Sequence, residues 1–352
     1  MAKRKEENSA DYSLEVKKLK AGGPQRLYLI RGEEGYLREQ FLLELKKLCI
    51  PDGEDSFSYR RFDGPELDYK ELAAAIDAVP FMSEYSFVEL RGININKLKD
   101  TDKLISVLSD IPEYCVVVFL HNDDPMDKKT QLDGRLKIVK ELREKGTEIV
   151  FNAQPQGKLV NWIGRRFAAA GKSVDLEAVQ RLTFISGTLM NRLIPEIDKV
   201  AAFAKGNRVT VEDVEAVAQH IPSAEVFEMT EQMANRNFER AADTLAELLS
   251  NDDNDPMIMN ALLGSQMRRL YAARLALEKG WSVKQISKLC NLKYDFIAEK
   301  LMKSARKFSV SELKRAVELC ADTDYKMKSS STDDAELLKE CVMLIAAGEA
   351  DA

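Results

Sequence analysis

Histidine is almost absent: His121 and His220 are the only two in 352 residues. Histidine-rich metal chemistry is thereby nearly excluded. Cysteine is sparse as well. Cys49, Cys115, Cys290, Cys320 and Cys341 are odd in number, far apart and form no C-x-x-C pair. That pattern argues for reduced, buried thiols and against both a disulfide framework and a zinc site. No stretch approaches the roughly 18 consecutive apolar residues that read as a bilayer span. Met1 to Glu7 is charged and lacks the apolar core of a signal peptide, so a cytoplasmic setting without a membrane partner is expected. A basic excess is missing too, since the formal net charge is -6. Phosphate neutralisation supplies most non-specific affinity for DNA, so tight, independent DNA binding is not expected. Contact with DNA inside a larger assembly remains allowed.

What is present suits a globular protein. Apolar residues make up 45% and charged residues 31% of the chain, and its length suggests two or three domains. Residues 1–24 form a polar segment with lysine clusters at Lys3–Lys5 and Lys17–Lys20, closed by Gly22-Gly23-Pro24. A solvated, partly disordered start is expected there.

From Leu27 the pattern alternates strand and helix. Strands are expected at Leu27–Ile30, Phe57–Phe62, Ser86–Leu90, Tyr114–Leu120 and Thr147–Phe151. Between them lie helical spacings: Leu37, Phe41, Leu45 and Leu48; then Leu72, Ala75, Ile76 and Val79; then Asp102–Leu108; then Leu132–Glu144. Strands separated by helices at this rhythm mean a doubly wound, mostly parallel sheet over residues 25–153. After Gln154-Pro155-Gln156-Gly157 the strand signal stops. A small helical domain is expected over 154–221, with Asp175 as an N-cap, Pro195 kinking or splitting one helix, and a capping box at Thr210–Asp213. Residues 222–352 read as helical throughout. Asp255-Pro256 opens a long helix to Glu278, Ser309–Glu312 is a second capping box, and Thr332 caps the last helix. The fold class is therefore α/β followed by all-α.

Several segments carry a resemblance. Tyr28–Leu37, Phe62-Asp63-Gly64, Val79–Glu84, Glu196-Ile197-Asp198-Lys199-Val200, Ser311-Glu312-Leu313 and Asp324–Lys328 follow one another in the order and spacing of a known family. The chain resembles the delta subunits of bacterial DNA polymerase III clamp loaders, a branch of the AAA+ proteins, across roughly residues 25–347. The resemblance implies an AAA+-like sheet domain, a small helical lid and a C-terminal helical collar. It also implies a non-catalytic subunit of a hetero-pentamer, partnered by other clamp-loader subunits and by the sliding clamp, and meeting primed DNA only within that assembly.

A working phosphate loop needs G-x-x-x-x-G-K-[ST]: glycines for close backbone approach, lysine for the phosphate charge, a hydroxyl for magnesium. Here Gly32 and Gly35 stand at the wrong spacing, no Lys-Ser/Thr pair follows, and Glu33 and Glu34 put carboxylates where phosphate would sit. These glutamates are expected to cap the helix dipole themselves. His121-Asn122 follows the most apolar strand in place of Asp-Glu, with Asp123 and Asp124 displaced into an expected solvated turn. The loop therefore reads as degenerate, with no catalytic residue, no metal and no cofactor expected.

Pro80 disfavours helical geometry at Val79, so Pro80, Phe81 and Met82 are expected to protrude from a turn. An aromatic and a thioether there suit insertion into an apolar pocket, and the resemblance makes them the wedge that grips the sliding clamp. The competing expectation is that they cover the sheet. Lys300, Lys303 and Lys307, expected on one helix face, are candidate DNA-facing residues. Trp162 and Trp281 read as packing anchors rather than base-stacking platforms. Two other classes of function stay open: an AAA+ ATPase with an atypical loop, and a helical adaptor with no clamp partner.

Overall fold

The computed structural model describes residues 9–54, 57–123, 130–292 and 294–348. The Lys3–Lys5 cluster and Asp124 lie outside them. By packing, the chain divides into two compact units: Met1–Leu159 with Thr188–Pro195, and Val160–Gly187 with Glu196–Ala352.

The first unit follows an alternating order. Helix α1 (Tyr12–Gly22) precedes β1 (Leu27–Arg31), α2 (Gly35–Cys49), β2 (Tyr59–Asp63) and α3 (Tyr69–Asp77). Then come β3 (Ser86–Arg91), α4 (Thr101–Leu108), β4 (Cys115–Leu120), α5 (Lys137–Lys145) and β5 (Thr147–Val150). All sheet pairings are parallel, in the order β2-β3-β4-β1-β5. β1 is buried along its whole length, as are the first five residues of β3 and β4. Continuous burial explains why these strands are apolar runs rather than alternating patterns. One face of the sheet is covered by Leu72, Ile76, Leu104, Ile138 and Leu142 packed in a cluster with Leu29, Val117 and Phe119. On the other face Phe41 of α2 meets Tyr28 and Phe151 at ring-centre distances of 6.3 and 6.0 Å.

Three expectations change here. The lysines Lys17, Lys18 and Lys20 belong to a helix, not a loose tail: Asp11 caps it, Lys20 pairs with Glu44, and Tyr12 packs on Phe151. Leu48 is 43% exposed, and the buried stripe of α2 runs instead through Leu42 and Cys49. Val79 lies outside α3 and is 75% exposed. The residue before Pro80 is driven to an extended backbone, so the helical spacing that placed Val79 with Ile76 stops short of it.

The second unit is helical, apart from a two-stranded parallel pair, Ser173–Val174 with Arg208–Val209, which hydrophobic periodicity does not reveal because each strand has only two residues. The Met190–Phe203 helix runs unsplit through Pro195, although that proline removes the N–H that would otherwise serve the Asn191 carbonyl. Thr210 and Ser309 form their capping boxes: Thr210 N–H donates to Asp213 at 2.9 Å, and Ser309 and Glu312 exchange bonds of 2.7 and 3.0 Å. The final helix is capped by Asp333 rather than Thr332, with the carboxylate taking the Glu336 N–H. The Pro256–Glu278 helix packs on Val310–Ser329, where Asn260 donates to the Cys320 carbonyl at 3.0 Å. Gly264 permits that approach, since a Cβ there would stand 3.3 Å from Cys320 Cβ. All five cysteines are buried and free. No helix among the described residues is long and apolar enough to cross a membrane.

Gly32 marks the tightest backbone crossing in the first unit. Its φ is +119°, and a Cβ would fall 2.2 Å from the Phe151 carbonyl oxygen. Gly32→Ala is therefore expected to cost at least about 2 kcal/mol, from strain and from opening the junction between β1 and the segment after β5. Urea denaturation of the two proteins measures it as a lowered midpoint.

Candidate partner-binding tip and degenerate phosphate loop

Helix α3 ends at Asp77, and the chain turns before entering β3 at Ser86. Phe81 is 62% exposed and Met82 85% exposed in that turn, while Pro80 is half-buried. The expectation that Phe81 and Met82 cover the sheet is thereby excluded. The turn is not loose. Ser58, buried just ahead of β2, accepts the Phe81 N–H at 2.8 Å and donates to the Phe81 carbonyl at 3.1 Å. Ser83 Oγ stands 2.8 Å from Ser58 Oγ and 2.9 Å from the Tyr85 carbonyl. The Ser58 carbonyl in turn accepts the Phe87 N–H at 2.8 Å, tying the turn to the start of β3. Met82 has φ +57°, a left-handed backbone that costs a non-glycine residue about 1–2 kcal/mol. The Ser58 bonds offset that strain and hold two apolar side chains outward.

Sequence reasoning missed Ser58 and Phe57. Phe57 was expected inside a strand, but β2 begins only at Tyr59 and Phe57 is 78% exposed, its ring edge-to-face with Phe81 at 6.2 Å. Its one signal in the sequence is an apolar residue directly after the polar Gly53–Ser56 stretch.

The other candidate site is the loop between β1 and α2. Two of its backbone donors are used within the chain. Glu34 N–H donates to the Phe151 carbonyl at 2.9 Å, and Gly35 N–H to the Glu33 carbonyl at 3.0 Å. Glu34 stands at the N-cap of α2 as expected, and Glu33 turns elsewhere. Glu33 accepts the Ala153 N–H at 2.9 Å; Glu34, fully buried, accepts the Met190 N–H at 3.2 Å. Burial pushes the Glu34 carboxyl up to about 7, against the pull of the Met190 amide. Arg38 lies against the loop, its Nη2 3.4 Å from where a Cβ on Gly35 would stand, and donates to the His121 carbonyl at 2.7 Å and to Asn122 at 2.9 Å.

Asp123 does not sit in a solvated turn. It is ion-paired with Arg31 at 2.7 Å and lies 3.4 Å from His121 Nε2. Burial opposes its charge, but His121 and Arg31 together hold its pKa below the ordinary value. No cluster of three or more potential metal ligands occurs among the described residues. The loop thus holds a buried carboxyl, two amides bonded within the chain and, beside it, an arginine committed to His121 and Asn122.

The lysines are not one helix face. Lys300 and Lys303 lie on the Asp295–Ala305 helix, but Lys307 follows its C-cap Arg306 and bonds Asn235, and Lys300 lies 3.6 Å from Glu231. Trp162 is half-buried under Arg166, while Trp281 is 37% exposed. Glu196, buried, accepts the Gln219 N–H at 2.9 Å.

Two family models match the chain. The one for the DNA polymerase III delta subunit covers residues 28–153, and the one for that subunit's C-terminal domain covers residues 223–345. DNA polymerase III subunit delta of Bacillus subtilis is 25% identical over 339 residues, 93% of this chain and 94% of the relative. The probable DNA polymerase III subunit delta of Aquifex aeolicus is 24% identical over 326 residues, 90% of each chain. Among solved structures, the Bacillus subtilis DNA clamp loader delta protein aligns with a TM-score of 0.47 and 23% identity, over 95% of this chain and 99% of that one.

Two outcomes are expected from the site chemistry. A carboxyl whose folded pKa is raised keeps its proton where the unfolded chain has released it. Its stabilising contribution is complete below about pH 4.5 and lost as pH rises through about 7. Glu34→Gln should abolish that loss and exceed the wild type by roughly 1–3 kcal/mol at pH 8, read from denaturant unfolding across pH. Ser58→Ala should cost about 1–2 kcal/mol and speed hydrogen exchange at the Phe81 amide, which loses its acceptor.

Proposed function

The chain belongs to the DNA polymerase III delta-subunit family, a clamp-loader component, and on that premise we propose that its Pro80-Phe81-Met82 tip binds and opens the sliding clamp. The observation that carries this reading is the outward presentation of Phe81 and Met82 on a turn held by Ser58. A rigid apolar protrusion at a helix end is suited to a pocket on a partner, where one or two anchors supply most of the affinity. Full burial of a phenylalanine is worth about 1.5–3 kcal/mol, enough for a single side chain to decide whether the contact forms.

The action is binding, not bond-making. The tip favours the open ring to the extent that it binds that ring more tightly than the closed one, and no further. The remaining partners follow from the same premise. Other clamp-loader subunits join through the C-terminal helices in a hetero-pentamer, and primed DNA is met inside that assembly. The subunit itself has no catalytic role and takes no cofactor, which the committed amides of Glu34 and Gly35 and the Arg31–Asp123 pair support. The same features weigh against an ATPase with an atypical loop.

Surface plasmon resonance with the sliding clamp of the same cell tests the proposal. Wild type should bind, and Phe81→Ala should bind at least tenfold more weakly, about 1.4 kcal/mol. Met82→Ala should show a smaller loss. A wild type that fails to bind a closed, folded clamp leaves the adaptor reading in its place.

A further inference from the structure

We propose that Phe57 is a second aromatic anchor of the same contact, entering the clamp's apolar pocket beside Phe81; this rests on the clamp-binding reading of the tip. The two residues come from different parts of the chain, one ahead of the edge strand β2 and one in the turn after α3. Their rings nevertheless meet edge-to-face, with centres 6.2 Å apart and planes at 86°. Such a pair is worth about 0.5–1.5 kcal/mol beyond the area it covers, so each ring restrains the other. Rings already ordered before docking lose less side-chain entropy on binding.

Phe57 is the more exposed of the two, at 78% against 62%, so most of its surface is still in water after the pair has formed. Its backbone is also fixed. Ser58, next in the chain, is buried and bonded to Phe81, and Arg60 donates to the Phe57 carbonyl at 3.3 Å and to the Tyr59 carbonyl at 2.8 Å. Arg60 and Glu84 are both exposed and place charge at the edge of the apolar tip. An apolar centre with a charged margin is the anatomy of a protein–protein contact rather than of a misplaced core residue. With Val79 also exposed, the apolar surface is wider than the Pro80–Met82 segment alone.

A double-mutant cycle on clamp binding separates a contact from a support. The proteins are wild type, Phe57→Ala, Phe81→Leu and the double variant, with Phe81→Leu chosen so that residual binding stays measurable. Phe57→Ala is expected to weaken binding roughly three- to tenfold, and by at least about threefold again in the Phe81→Leu background. Phe57→Tyr, which keeps the ring, should bind within about twofold of wild type and guards against a folding artefact. If Phe57→Ala matches wild type while Phe81→Leu binds more weakly, the inference is overturned and the tip's function stands. A loss that vanishes in the Phe81→Leu background also overturns it, because Phe57 then only holds Phe81 in place. No binding by wild type removes both readings.

Discussion

The edge strand behind Ser58, the residue that clamps the tip, is held by a buried carboxylate. β2 buries none of its five residues completely, so apolar packing alone would hold it weakly. Glu89, fully buried in the neighbouring β3, supplies the anchor: it accepts from Tyr59 Oη at 2.7 Å and pairs with Lys46 of α2 at 2.5 Å and with Arg91. Burial opposes the charge on Glu89, but Lys46, Arg91 and Tyr59 outweigh it and keep the pKa below the usual carboxylate value. Removing one member of such a network leaves an uncompensated buried charge, a loss of about 3–5 kcal/mol. Phe57 and Ser58 directly precede Tyr59, so the position of the tip depends on this ionic knot.

A second consequence of burial is the internal bonding of the loop between β1 and α2. A loop that binds phosphate keeps its N–H groups pointed at an empty space and a cation beside them. In this chain the segment after β5 bonds the loop from within. The Phe151 carbonyl takes the Glu34 N–H, and the Glu33 and Glu34 carboxyls take the amides of Ala153 and Met190. Gly32 persists because only a residue without a side chain lets β1 and Phe151 approach so closely. The glycine thus serves chain packing.

These two features divide the labour within one unit. The loop is bonded within the chain, while the tip keeps apolar surface that internal bonds do not cover. The proposed action, differential binding to a partner's ring, calls for this combination, because a ring is strained only by a surface that does not itself yield.

The sequence by itself determined the sheet and most helices. Continuous apolar strands such as Tyr114–Leu120 and helical repeats such as Leu37, Phe41 and Leu45 are driven by burial that repeats along the chain, and periodicity reads them directly. Caps built from adjacent residues, at Asp255, Thr210 and Ser309, were legible for the same reason. So was the turn at Pro80, because the restriction that proline imposes is local. What the tertiary structure alone decided involves residues distant in sequence: the turning of Glu34 toward Met190, the Arg31–Asp123 pair, the Ser58 clamp on Phe81 and the edge-to-face contact of Phe57 with Phe81. Lys307 left the helix face and Val79 left the core because spacing does not say where a helix ends. A hydrogen bond between residues 23 apart leaves no periodic trace in a sequence, and the outward aim of Phe81 rests on one such bond.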